Sequence, residues 1–241
     1  MRMVMNISLG ALLVASALTA MAPRAQAMPG AWYSFNGEIF DIAQNAWTLD
    51  PSGNWVCNFK DLNNGNYLIA GTIEIAGDPQ IIYGIATTNF TNATANFAFG
   101  FSDSFSTLSG PNTVYGSYSG SVTDGAGDGV SLQPTAAKMQ LSDLNGIDMG
   151  VDVGNGFTAG PGNPGESYDA GFDSRGPQAG PVGNWTQLGT DLSFTLTGGD
   201  DVATLNGSST VYPVNPVPEP GTAMCLGLAM AGVGLLRRRR R

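Results

Sequence analysis

In the stretch TANFAFGFS, from Thr94 to Ser102, Phe97, Phe99 and Phe101 fall on one side of an extended chain, and Asn96, Ala98 and Gly100 on the other. Side chains alternate across a β-strand with a period of two, so such a segment packs one face and turns the other to water or a second layer. DLSFTLTGG behaves alike: Leu192, Phe194 and Leu196 point one way, Ser193, Thr195 and Thr197 the other. Further candidate strands run over 67–77, 80–90, 112–122, 137–143 and 191–214, separated by turn-forming clusters such as NNGN at Asn63 and GGDD at Gly198. Between residues 28 and 216 no apolar repeat of 3.6 residues is long enough for a helix. The pattern predicts an all-β body at 28–216, a β-sandwich with a jelly roll as its specific form. No fixed-period repeat occurs, which removes solenoids and propellers. The segment 154–183 is rich in Gly and Pro and does not alternate, so it is expected to be a long loop.

At 241 residues the chain has room for one fair-sized domain with extensions. Between Met28 and Val217, 18 acidic residues stand against three basic ones, Lys60, Lys138 and Arg175, a net of −15. A body this anionic repels phosphate backbones and has no basic surface to release counterions, so no nucleic-acid partner is expected. Zero histidines excludes Ser-His-Asp and Cys-His nucleophile systems. The two cysteines, Cys57 in the body and Cys225 near the end, are too few for a zinc framework.

Three kinds of chemistry stay open. Two carboxylates suffice for glycoside hydrolysis, and Glu38, Glu74 and Glu166 with the aspartates could supply a pair, but nothing in the spacing brings two together, and the expectation is a non-enzymatic protein. TDGAGDG places Asp124 and Asp128 in a glycine loop, and SDLNGID places Asp143, Asn145 and Asp148 close in sequence. Such oxygen-rich loops suit calcium, and they equally suit solvated turns. Apart from calcium, no cofactor is expected. Trp32, Trp47, Trp55 and Trp185, with Tyr33, offer flat faces for sugar rings or filling for a core.

The ends carry addresses. Arg2, an apolar stretch from about Ile7 to Ala22, and AQA at Ala25 to Ala27 follow the secretory pattern, predicting a signal peptide over 1–27 cut after Ala27. At the other end, 221–236 is apolar and, as a helix, would span roughly 24 Å against a hydrocarbon core of about 30 Å. Arg237, Arg238, Arg239, Arg240 and Arg241 follow it. Snorkelling arginine stems make so short a transmembrane helix tolerable and hold its end on the cytoplasmic side of the inner membrane. Before it, Pro218 and Pro220 keep Val217 and Glu219 extended, a form a processing protease can grip.

VPEP at 217–220, the apolar stretch and the terminal arginine run, together 217–241, resemble the PEP-CTERM sorting signal of exopolysaccharide-producing Gram-negative bacteria. The same tail is similar to the C-terminal motif of certain ice-binding proteins. The resemblance implies recognition by a membrane-embedded exosortase, removal of the helix and basic end, and delivery of the body to the cell surface or extracellular matrix. The function expected is that of an exported surface or matrix protein associated with exopolysaccharide or biofilm. The alternatives are a carbohydrate- or calcium-binding adhesion module, and a carboxylate-based carbohydrate enzyme.

Overall fold

A computed structural model describes residues 28–76 and 79–214. The expected signal peptide with Ala25 and Ala27, the VPEP motif, the transmembrane helix over 221–236 and Arg237 to Arg241 all lie outside the described residues. Among the described residues no helix is long and apolar enough to cross a membrane.

The alternating segments become strands of two antiparallel sheets, packed face to face as a sandwich. The first sheet contains β1 (Gly30–Phe35), β2 (Glu38–Asp41), β7 (Ala95–Gly110), β9 (Val130–Pro134), β10 (Gln140–Leu144), β11 (Ile147–Asp148), β12 (Phe157–Ala159) and β14 (Gly183–Leu196). Its main order is β11-β10-β14-β7-β1-β2. β9 takes the far end of the β14 edge that β10 occupies, and β12 pairs with β9. The second sheet runs β13-β8-β15-β6-β5-β4-β3, from β3 (Trp47–Leu49), β4 (Trp55–Asn63), β5 (Tyr67–Ala76), β6 (Gln80–Asn89), β8 (Asn112–Asp124), β13 (Glu166–Ala179) and β15 (Asp201–Pro213).

The phase of each strand sets what it buries. Phe97, Phe99 and Phe101 of β7 and Leu192, Phe194 and Leu196 of β14 all face the core, where Phe194 stacks on Phe97 and Phe99 with ring centroids 5.6 and 6.2 Å apart. Ile69, Ile73 and Ile75 of β5 and Ile81 and Ile85 of β6 meet them from the second sheet. Burying one such side chain stabilises by roughly 1.5–3 kcal/mol, which is why the register that sends all of them inward is the one adopted. Cys57 is wholly buried and unpaired, filling space as a small apolar residue.

Polar groups also cross the core. Gln140 of β10, fully buried, accepts a 2.6 Å hydrogen bond from the Tyr83 hydroxyl and donates its amide to the Ser208 carbonyl (3.0 Å) and Ser209 Oγ (3.1 Å). Ser142 and Ser209 share a further bond of 2.7 Å. The cluster ties β10 in one sheet to β6 and β15 in the other. It fits because position 207 is glycine; a Cβ there would stand 2.6 Å from Gln140 Oε1 and overlap the Tyr83 hydroxyl.

One expectation is corrected. The stretch 154–183 is no long loop: it holds β12, the 14-residue β13 and the start of β14. β13 is an edge strand paired only with β8, exposed along most of its length, with register shifts at Asp169/Gly171 and Arg175/Gln178. An edge strand that buries neither face needs no alternation, and bulges, Gly and Pro are tolerated there. The turn expected at GGDD, where Gly199 and Asp200 take positive φ, parts the stretch 191–214 into the end of β14 and β15, which lie in different sheets.

Candidate functional site

The chemistry concentrates on the outward face of the first sheet. Ala31, Tyr33 and Phe35 take the inward phase of β1, so Trp32 is turned outward and stays half-buried. Cross-strand pairing places Trp32 beside Gly100 of β7, Gly100 beside Asp191 of β14, and Asp191 beside Leu141 of β10. One step along the strands, the next outward row reads Gly30, Ser102, Gly189, Asp143 and Asp148. Directly opposed residues of antiparallel strands project to the same face, so the two rows form one surface.

Two adjoining depressions lie on this surface, each of about 340 Å³. One is lined by Trp32, Gly100, Ser102, Gln187 and Gly189, the other by Leu141, Ser142, Asp148 and Asp152; Asp143, Gly146 and Asp191 belong to both. The floor is low because the glycines leave it so. The Trp32 indole lies across Gly100, where a Cβ would overlap its Nε1, and the Asp143 carboxylate lies over Gly189 in the same way. Glycine inside a strand marks such close approach.

The rim is fixed by a hairpin. Asn145 and Gly146 both take positive φ in the turn joining β10 to β11, the conformation an Asn-Gly pair adopts most readily. Asp143 Oδ1 accepts the Gly146 N–H (2.6 Å), and Asn145 Oδ1 accepts the N–H groups of Thr186 (3.0 Å) and Gln187 (2.9 Å). The latter two bonds sit at a register shift in β14, between Trp185 and Gln187, and hold Gln187 toward the depression.

The groove is acidic. Asp143 and Asp148 are directly opposed across the hairpin, and Asp191 is diagonal to Asp143, about 7–8 Å away by the usual sheet geometry. Asp191 is open to solvent at the mouth yet set into protein, and that burial, then the charge of Asp143, pushes its carboxyl above the usual range. Asp152 is also raised, by burial first and then by Asp148, against the Ser142 N–H it accepts (3.0 Å) and the charges of Arg175 and Lys138. The one ion pair among the described residues, Lys138 with Asp173 at 3.5 Å, leaves the groove carboxylates without a salt-bridge partner.

The other sequence candidates separate. Trp47 and Trp185 are buried, and Trp55 buries its indole N–H; of the four tryptophans only Trp32 opens onto the outer-face groove. Tyr33 closes the sandwich rim, stacked between Phe40 and Phe59. Its hydroxyl donates to Asp61 (2.8 Å), and its phenol is pushed up to about 12 by burial, then by that bond and the Asp61 charge. Glu38, Glu74 and Glu166 lie on β2, β5 and β13, and none of them lines either of the two depressions.

Asp124 and Asp128 do come together, and Asp201 joins them, with carboxylate oxygens within 4.8 Å of one another. Three carboxylate oxygens at that separation are what a hard cation takes. The same oxygens are also loop staples. Asp124 accepts the N–H groups of Gly127 (2.6 Å) and Gly129 (2.8 Å), and Asp201 accepts the Gly125 N–H (3.0 Å) and the Thr197 hydroxyl (2.5 Å). Of the second sequence candidate, Asn145 is occupied by β14, and Asp143 and Asp148 belong to no such group of three carboxylates among the described residues.

Reading the sequence missed Asp191, Asp152, Ser102 and Gln187, whose neighbours are far away along the chain. Two signals were there to find: the outward phase of Trp32 in AWYSF, and the interior glycines Gly100 and Gly189 on the outward phases of their strands.

Residues 216–241 match the PEP-CTERM protein-sorting motif. No curated protein matches the chain. Among solved structures it is similar to TmCBM61 in complex with beta-1,4-galactotriose, at 11% identity over 68% of this chain and 90% of that one, with a TM-score of 0.26. It is also similar to the adhesin domain of Epf from Streptococcus pyogenes, at 11% identity over 77% of this chain and 53% of that one, with a TM-score of 0.20. At these scores neither likeness bears on ligand or function.

Proposed function

We propose that this chain is an exported, non-enzymatic protein, carried by its C-terminal sorting signal to the surface of a Gram-negative cell, where the groove on the first sheet holds a sugar chain of the extracellular polysaccharide. The match at 216–241 supports export and processing by an exosortase, with the inner membrane as the transient station. The observation that carries the sugar reading is Trp32, turned outward across Gly100 beside a shallow groove. An indole offers a broad apolar face to the C–H face of a pyranose, and Ser102, Gln187 and the aspartates offer hydrogen bonds around its edge. The open, low-floored shape suits the side of a long polymer.

The test compares wild type with Trp32→Ala on polysaccharide isolated from the host. Retention of the wild-type protein on isolated host polysaccharide and release of the variant is the expected result; equal retention refutes the groove. Mass spectrometry of the surface form should find no peptide reaching Leu236, and finding one refutes processing. No reducing ends should appear when polysaccharide and protein are incubated; their appearance would refute the non-enzymatic reading.

A further inference from the structure

The groove carries more charge than binding a neutral sugar requires. Asp143, Asp148, Asp152 and Asp191 line it, and no lysine or arginine does. Asp143 uses Oδ1 on the Gly146 N–H, Asp148 uses Oδ1 on the Gly150 N–H (2.5 Å), and Asp152 uses Oδ1 on the Ser142 N–H. In each of these three the second oxygen takes no hydrogen bond from the described residues. Of the three basic side chains in the body, Lys138 and Arg175 act on Asp152 at one end, which leaves Asp143, Asp148 and Asp191 as the uncompensated stretch nearer Trp32.

A single metal ion does not answer this arrangement. Among the described residues only Asp124, Asp128 and Asp201 bring three carboxylates within 4.8 Å of one another. Asp191 stands on one outward row and Asp143 and Asp148 on the next, so these carboxylates are spread along the groove rather than gathered into one coordination shell. A uronic-acid chain would add negative charge to negative charge. A basic peptide would meet the charge but gain little else: β1, β7, β14 and β10 are each paired on both sides across the groove, so no strand edge is open to its backbone.

Resting on the reading that the groove holds a sugar chain, we infer that its ligand is a polysaccharide bearing free amines, a partly N-deacetylated hexosamine polymer, with an ammonium group seated between Asp143 and Asp191 and the adjoining ring against Trp32. The ammonium supplies the missing countercharge through charge-assisted hydrogen bonds, and the ring takes the indole face. A capped, acetylated amine keeps the ring contact and loses the charge.

The experiment is calorimetric titration of the full-length protein in detergent at low salt with four probes: a glucosamine tetramer, its N-acetylated counterpart, an oligogalacturonate of equal length, and oligolysine. The glucosamine tetramer should bind about tenfold or more tighter than the acetylated one, with the gap closing at high salt. Asp191→Asn and Asp143→Asn should each weaken the glucosamine tetramer more than the acetylated one and so narrow that gap. Trp32→Ala should weaken both, with thermal melts showing that each variant is folded. Equal binding of the free and acetylated tetramers, or tighter binding of the oligogalacturonate, overturns the amine assignment and leaves the sugar groove standing. Oligolysine binding as tightly as the glucosamine tetramer, with no loss in Trp32→Ala, overturns the glycan class. If no glycan binds, the groove reading itself falls.

Discussion

Gln140→Leu removes the polar centre that joins the two sheets while keeping side-chain volume close to native. Three consequences follow from the geometry. The Tyr83 hydroxyl, held at 2.6 Å, is left as a buried donor without its acceptor, costing about 1–3 kcal/mol. The Ser208 carbonyl and Ser209 hydroxyl each lose one bond, at 3.0 and 3.1 Å, but Ser209 keeps Ser142 at 2.7 Å, so about 1 kcal/mol covers both. The variant should therefore be about 2–4 kcal/mol less stable, lowering Tm by about 5–15 °C for a body of this size. Tyr83→Phe leaves the Gln140 carbonyl unpaired and should cost about 1–2 kcal/mol. The double variant removes both partners, so its loss should fall short of the sum by about 1 kcal/mol or more. Urea melts of the four proteins read this coupling directly. Additivity within about 0.5 kcal/mol, or a Gln140→Leu cost below about 1 kcal/mol, would refute the claim that these groups act as one buried unit.

Four further outcomes are expected. Gly100→Ala should displace the half-exposed Trp32 ring, abolishing oligosaccharide binding and shifting Trp fluorescence while leaving the urea midpoint near wild type, since the ring is free to swing outward. Asp124→Ala should cost about 2–4 kcal/mol in metal-free buffer, because two backbone N–H groups lose a charged acceptor; if calcium raises the wild-type Tm and Asp128→Asn abolishes the rise, the triad holds a cation as well. For Asp191 the folded carboxyl is raised, so the folded state binds the extra proton and its contribution to stability falls as pH rises from the unfolded value of about 3.9. Asp191→Asn should accordingly raise Tm at pH 7 and have no effect near pH 3, as scanning calorimetry across that range would record. Asp61→Asn should bring the Tyr33 phenol down from about 12, visible as an earlier alkaline step in ultraviolet titration.

How much of this was legible beforehand differs from element to element. β5, β6, β7 and β8 are each announced by a run of apolar residues at alternate positions, such as Ile81, Tyr83 and Ile85 or Phe97, Phe99 and Phe101, because each buries one face and that requirement acts on the strand by itself. β13 was invisible for the converse reason: as an edge strand it buries almost nothing, so Gly176 and Pro177 stand where an inner strand would exclude them. The Asp124–Asp128 loop was legible because its two members stand only four positions apart. Asp201, more than seventy residues on, was not.

The sequence by itself determined the all-β body, its inward faces, the sorting motif at its end and the exclusion of histidine-based catalysis. These follow from composition and from short-range order, which a linear chain displays. Only the tertiary structure decided that Trp32, Gly100, Asp191 and Asp143 share one surface. Their meeting depends on strand register across β1, β7, β14 and β10, and register is fixed by the collective burial of the opposite face, a property no single segment contains.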